Sequence, residues 1–246
     1  MELEHLGTIK EIWRYPLSSM GGEQLQSVDI DKGGISGDRI WCIADVHTGE
    51  PAAPEKEARW RPILFLQSRL RVGTPEIGLP DGAWLEVGSE DLDVKLSRHF
   101  GFDVSARPYE KAKRSEHGSV ATNRYDPSPL HLLTTGALDH LGTLLGEVTI
   151  DSRRFRPTVL LETSGQPDFV EKSWIGLRLQ LGQAVIRADE ETKRCGMTLV
   201  AQPGLPENPE ILRTILRQNR RNLGIYCTID APGLITVGDA AYEIVA

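Results

Sequence analysis

Arg39-Ile40-Trp41-Cys42-Ile43-Ala44-Asp45-Val46 is the stretch whose reading decides the fold class. It is apolar and β-branched, and His47-Thr48-Gly49 closes it, so it reads as a strand. Similar runs flank it. Residues 7–15 carry Ile9, Ile12, Trp13 and Tyr15 until Pro16 stops them, and Ser27-Val28-Asp29-Ile30 alternates up to the turn at Lys32-Gly33-Gly34. Residues 63–71 and 83–87 are further strand candidates, with Asp81-Gly82 as a hairpin-type turn. Residues 91–100 break the pattern, placing Leu92, Leu96 and Phe100 on one helical stripe. Short strands between Gly/Pro turns favour a small barrel or sandwich.

From Arg107 to Pro129 the chain is polar, with mixed charge and no sustained period. This sets an expected boundary, residues 1–107 against 108–246, with strands shared across it. Beyond it, Thr134 or Thr135 caps a helix whose apolar face is Leu138, Leu141, Leu144 and Leu145 and whose stop is Gly146. Residues 156–162 and 177–188 read as strands. Asn208-Pro209 opens a second helix with Ile211, Leu212, Ile215 and Leu216 buried and Gly224 as its end. Residues 225–229, a Pro232-Gly233 turn and a strand after Val237-Gly238-Asp239 complete the chain. The expected fold is mostly β with a few helices, built as two β-barrel-like parts.

Bulk properties narrow the function. The chain has 246 residues, 39% hydrophobic and 26% charged, and a net charge of -7. That charge disfavours nucleic acid as a partner, since phosphate contacts need a basic surface. No apolar run is long enough for a bilayer, and Met1-Glu2-Leu3-Glu4 has no basic leader character, so no membrane partner and a cytoplasmic location are expected. Three scattered cysteines make no disulfide framework.

Candidate chemistry centres on Cys195, in Arg194-Cys195-Gly196-Met197-Thr198, ahead of a strand-like Thr198-Leu199-Val200. A thiol beside an arginine is biased toward thiolate, the form that attacks electrophiles or binds soft metals. Cys42 and Cys227 lie in apolar strand-like runs, where a cysteine is usually inert. Arg153-Arg154-Phe155-Arg156-Pro157 places three cations in four residues; it is either a solvated face or a set of forks for phosphate. Thr134-Thr135-Gly136 opens a helix, where hydroxyls and free N–H groups either cap the helix or hold an anion. Tyr15-Pro16-Leu17-Ser18-Ser19-Met20-Gly21-Gly22 is a small-residue loop that lets backbone approach a ligand. The six histidines show no metal spacing, so His131 and His140 read as surface or capping groups.

The ordered set Tyr15-Pro16…Ser19, Gly37-Asp38-Arg39, Leu132-Leu133-Thr134-Thr135, Phe155-Arg156-Pro157, Trp174…Gly176, Arg194-Cys195, Leu223-Gly224-Ile225-Tyr226 and Val237-Gly238-Asp239 resembles the MOSC-domain family. That family is named for the C-terminal domain of molybdenum cofactor sulfurase. The likeness is greatest to the branch of the mitochondrial amidoxime-reducing component and its bacterial relatives. It implies an N-terminal β-barrel followed by a MOSC β-barrel, and a molybdenum cofactor (Mo-molybdopterin) held in a cleft. It makes Cys195 the molybdenum ligand and catalytic centre, and Ser19, Arg39, Thr134, Thr135, Arg156, Thr158 and Arg194 its cofactor-binding neighbours. The activity implied is two-electron reduction of N-hydroxylated small molecules, with electrons from separate proteins: a ferredoxin or flavoprotein, or a cytochrome b5-like carrier. Two positions depart from the branch, which usually has Lys at Ser18 and Asn at Thr158. A cofactor carrier or sulfur-transfer protein using Cys195, or a cofactor-free binding module, are the alternatives.

Overall fold

The computed structural model describes residues 2–109, 128–147, 149–165 and 167–245. The polar stretch 107–129 lies largely outside the described residues. In chain order the elements are β1 (Glu2–Arg14), β2 (Glu23–Leu25), β3 (Ser27–Asp31), β4 (Gly34–Ile35), β5 (Trp41–Asp45), β6 (Gln67–Arg71), β7 (Thr74–Gly78) and β8 (Trp84–Glu86). They continue with α1 (Glu90–Phe100), β9 (Val104–Pro108), β10 (Leu130–Thr134), α2 (Thr135–Leu145), β11 (Val159–Glu162), β12 (Arg178–Leu181) and β13 (Ala184–Lys193). Last come α3 (Pro209–Asn219), β14 (Asn222–Ala231), β15 (Gly233–Thr236) and β16 (Ala240–Val245). The protein is mostly β, as the strand patterns imply.

Seven strands close a barrel in the order β11-β10-β14-β13-β12-β16-β1, with β1 pairing back onto β11 through Thr8 and Glu162. Period-two alternation fixes the register. Leu130, Leu132, Val159, Leu161, Leu179, Leu181 and Ile225 fill the interior. Leu133 and Leu160, each next to an interior residue, face the other way and pack with residues of α2 and α3, as does Leu223, separated from Ile225 by Gly224 in the left-handed region. A one-residue slip would expose the first set, each member contributing about 1.5–3 kcal/mol through burial.

A second core gathers Leu17, Met20, Ile43, Trp60, Ile77, Leu92 and Phe100 from the N-terminal strands and α1. Two links tie it to the barrel. β1 irregularities between His5 and Gly7 and between Ile9 and Glu11 bend the strand, so that its end pairs with β2. From the other side, Met197, Leu199 and Val200, just beyond Cys195, pack into the second core.

Some local expectations change. Residues 63–65 belong to a 3-10 turn, Ala58–Phe65, interrupted by Pro62, and only Gln67–Arg71 is strand. Ile63 and Leu64 are buried, as they would be in a strand, while Phe65 is exposed, and length alone does not separate the two states. Gly196–Thr198 is likewise a 3-10 turn. Residues 177–188 span the β12–β13 hairpin rather than one strand. α3 ends at Arg220 in a left-handed conformation, with Gly224 inside β14, and Leu216 is exposed while Ile211 and Ile215 are buried. Leu144 of α2 is exposed as well.

Candidate functional site

The loop after β1 is pinned by backbone bonds: Arg39 N–H to Tyr15 O at 2.7 Å, Ser18 N–H to Trp41 O at 2.9 Å, and Gly21 N–H to Leu66 O at 2.9 Å. It carries Tyr15, a buried ring with guanidinium groups against it, Arg156 at 4.2 Å and Arg39 at 4.8 Å from its centroid. Arg39 donates to the Arg156 carbonyl at 2.9 Å, to Thr158 Oγ1 at 3.5 Å, and to Asp38. Arg156 Nη1 donates to the carbonyl of Met20, next to buried Ser19. Residues far apart in sequence thus meet: Ser19, Arg39, Arg156 and Thr158 form one neighbourhood.

Ser19, Arg39 and Arg156 share a second property. Their φ angles are 67°, 52° and 52°, left-handed values that cost a non-glycine residue about 1–2 kcal/mol. Such strain persists only where surrounding contacts over-determine it, and it concentrates at functional sites.

Arg194 lies deeper. Its Nε donates to Leu223 O at 2.8 Å, its Nη1 to Phe155 O at 3.0 Å, and its Nη2 to Leu223 O and to His131 Nε2. Its guanidinium therefore braces backbone around the site. Burial lowers both Arg156 and Arg194 to about 10, which leaves both cationic at neutral pH. Burial raises Tyr15, against the pull of Arg156 and Arg39. His131, read from sequence as a surface or capping group, is instead buried, and burial followed by the Arg194 charge pushes it well below the ordinary histidine value.

Thr134 and Thr135 part company. Thr134 points to the barrel end, where Oγ1 caps α2 by accepting from Ala137 N–H at 3.1 Å and donates to Glu171 at 2.9 Å. Glu171 also accepts from Gly224 N–H at 2.9 Å; burial raises its pKa, and those bonds oppose the rise. Gly224 has φ +76°, and a Cβ there would sit 2.7 Å from both His131 Nε2 and Leu132 O, so this position accepts only glycine. Thr135 faces a different space, accepting from Thr163 N–H at 3.1 Å and lining a cavity of about 910 Å³ with Lys10 and Trp13.

Cys195 is half-buried and follows β13 of the barrel, just ahead of the segment that packs into the second core. Its carbonyl accepts from the Thr198 N–H at 3.2 Å, and a Cβ on neighbouring Gly196 would lie 3.3 Å from Glu55 O of the N-terminal part. No group of three His, Cys, Asp or Glu side chains gathers as a metal cage among the described residues. A smaller cavity of about 150 Å³ lies beside the arginines, lined by Tyr15, Met20, Arg156 and Gln202, and it shares Trp13, Arg153 and Leu205 with the larger one. Tyr15, His131, Glu171 and Gln202 are the site neighbours that residue patterns alone did not single out as ligands.

The MOSC domain matches residues 113–242, and the MOSC N-terminal beta barrel domain matches residues 6–77. The chain belongs to the MOSC-domain family. Among curated MOSC relatives, mitochondrial amidoxime reducing component 2 of Rattus norvegicus is 22% identical, over 99% of this chain and 85% of that protein. Mitochondrial amidoxime-reducing component 1 of Homo sapiens is 24% identical, over 98% and 84% respectively. The YuaD protein of Bacillus subtilis superposes with a TM-score of 0.53 at 14% identity, covering 99% of this chain and all of that one. That likeness concerns the fold. Among the described residues no helix is long and apolar enough to cross a membrane.

Proposed function

We propose that this MOSC protein holds a molybdenum cofactor in the cleft between its two cores and reduces N-oxygenated small molecules. The observation that carries the reading is Arg156. Its Nη2 is buried and has no hydrogen-bond partner among the described residues, while Arg39 lies against the same tyrosine. A buried guanidinium donor without an acceptor is costly, and a phosphate-bearing ligand would supply acceptor and charge together. The names of the relatives, amidoxime reducing components, support N-oxygenated compounds as the substrate class.

The residues present fit such a group. Cys195 would be the single protein ligand, its soft thiolate suited to a metal already carrying sulfur ligands. Ser19, Arg39 and Arg156 would hold the anionic end, and Arg194 would set the backbone on which they stand. Thr158, where the branch usually has Asn, already serves protein groups, accepting from His131 N–H at 3.2 Å and from Arg39. Thr134 would act from the barrel end through Glu171 and Gly224, and Thr135 from the wider cavity. The bound group would supply two-electron chemistry, converting R–NHOH with two electrons and two protons to R–NH2 and water. Electrons would come from a separate carrier protein.

The test is the molybdenum and pterin content of protein purified from a host supplied with molybdate, with turnover of an aromatic amidoxime under a chemical electron donor. Near-stoichiometric metal and pterin with turnover are expected, and Cys195→Ser should lose metal and turnover while melting as the cofactor-free parent does. Full activity in Cys195→Ser with metal still bound would remove Cys195 from the assignment.

A further inference from the structure

The 150 Å³ cavity is chemically one-sided. Arg153 and Arg156 line it and no carboxylate does among the described residues. Three polar atoms on its lining residues, Arg156 Nη2, Gln202 Nε2 and Tyr15 Oη, are buried and unpartnered among the described residues. A guanidinium and an amide nitrogen can only donate, and a phenol can donate. Side-chain acceptors there are confined to the amide oxygens of Gln67 and Gln202 and the phenol oxygen, whereas the unpartnered donors and the guanidinium charge suit an oxyanion, which needs donors and a buried cation beside it.

Gln202 is presented rigidly. Its N–H donates to Leu205 O at 2.9 Å and its carbonyl accepts from Leu205 N–H at 2.8 Å, a two-way bridge around Pro203 and Gly204. Val200, two residues earlier, is anchored in the N-terminal core. The turn is therefore held on both sides before any ligand arrives, which reduces the ordering cost of binding.

We infer that Gln202 is a ligand-binding residue, completing with Tyr15 and Arg156 a site for a tetrahedral dianion of the phosphate type. The inference deepens the cofactor reading and rests on it for one point, the carrier of that phosphate. The source is either the terminal phosphate of the cofactor or free inorganic phosphate.

The experiment uses the full chain purified without cofactor, titrated with inorganic phosphate at constant ionic strength and followed by thermal shift and calorimetry. Saturable stabilisation by phosphate is expected, absent with chloride alone. Gln202→Leu, which removes the donor, should weaken phosphate binding about tenfold, the size of one charge-assisted hydrogen bond. Gln202→Glu, which places a carboxylate in the cavity, should abolish it. Equal phosphate affinity in all three proteins, or no response in the parent, overturns the inference. The parent's molybdenum and pterin content is read separately, so a failed cofactor assignment is distinguishable from a failed phosphate site. Repeating the titration on cofactor-loaded protein decides the source. Loss of the response assigns the site to the cofactor's phosphate, and a retained response overturns that occupant in favour of free phosphate.

Discussion

His131 shows how much one side chain is constrained by charge around it. Arg194 offers only donors, so the His131 Nε2 that it meets must present a lone pair. The proton then sits on Nδ1, which donates to the Arg156 carbonyl at 3.2 Å. Arg194, Arg39 and the edge of the Tyr226 ring face this imidazole. Its folded pKa is depressed, so the unfolded chain binds the proton more readily. Stability from this group is complete above the unfolded value near 6.5 and is lost as pH falls below it, by about 1.4 kcal/mol per pH unit. His131→Gln keeps an acceptor toward Arg194 and cannot titrate. Urea midpoints between pH 5 and 7.5 should fall less steeply for that variant on the acid side; identical slopes would show that His131 is not held neutral.

Among the elements, α2 is the one most fully determined by local signals. A threonine cap, leucines at helical spacing and Gly146 in the left-handed region at its end were all written in neighbouring residues. What neighbouring residues could not tell is that the cap reaches a buried carboxylate, because Glu171 is 37 positions away. Thr134→Val should cost about 2–3 kcal/mol, combining a lost cap with a buried carboxylate short of one donor. Denaturant unfolding measures this, and a loss under about 0.5 kcal/mol would reduce Thr134 to an ordinary surface-type cap. The same logic explains the misread ends. Arg220, not a glycine, ends α3 because the chain must turn at once into β14. Pro62 precedes the short apolar run at residues 63–65, which reads equally as strand. For the site, Arg156 and Cys195 are legible by residue type and Arg39 through the family resemblance, whereas the buried role of His131 depends on strands that the barrel brings together, and the placement of Gln202 on a turn beside the second core.

At the level of the whole molecule, β1 belongs to both halves. It pairs with β16 and β11 in the barrel and with β2 toward the N-terminal core. A fragment starting at residue 108 would therefore leave β11 and β16 with open edges, which template association. Such a fragment is expected to aggregate or stay unfolded by size-exclusion chromatography and circular dichroism, and a monomeric, cooperatively melting fragment would show that β1 is dispensable. The Cys195 segment is the reciprocal link, leaving the barrel and burying Val200 in the other core.

The pairing of Glu2 with Val245 joins two strands that are far apart in the chain. During synthesis the leading strand leaves the ribosome long before its partner exists, and no earlier strand offers it the same ladder. Contacts of such sequence separation form slowly, and the waiting edge is exposed to other nascent chains. Barrel closure therefore waits until β16 has been made, and the interval in which β1 stands unpaired on that side is when the chain most needs a chaperone's shelter.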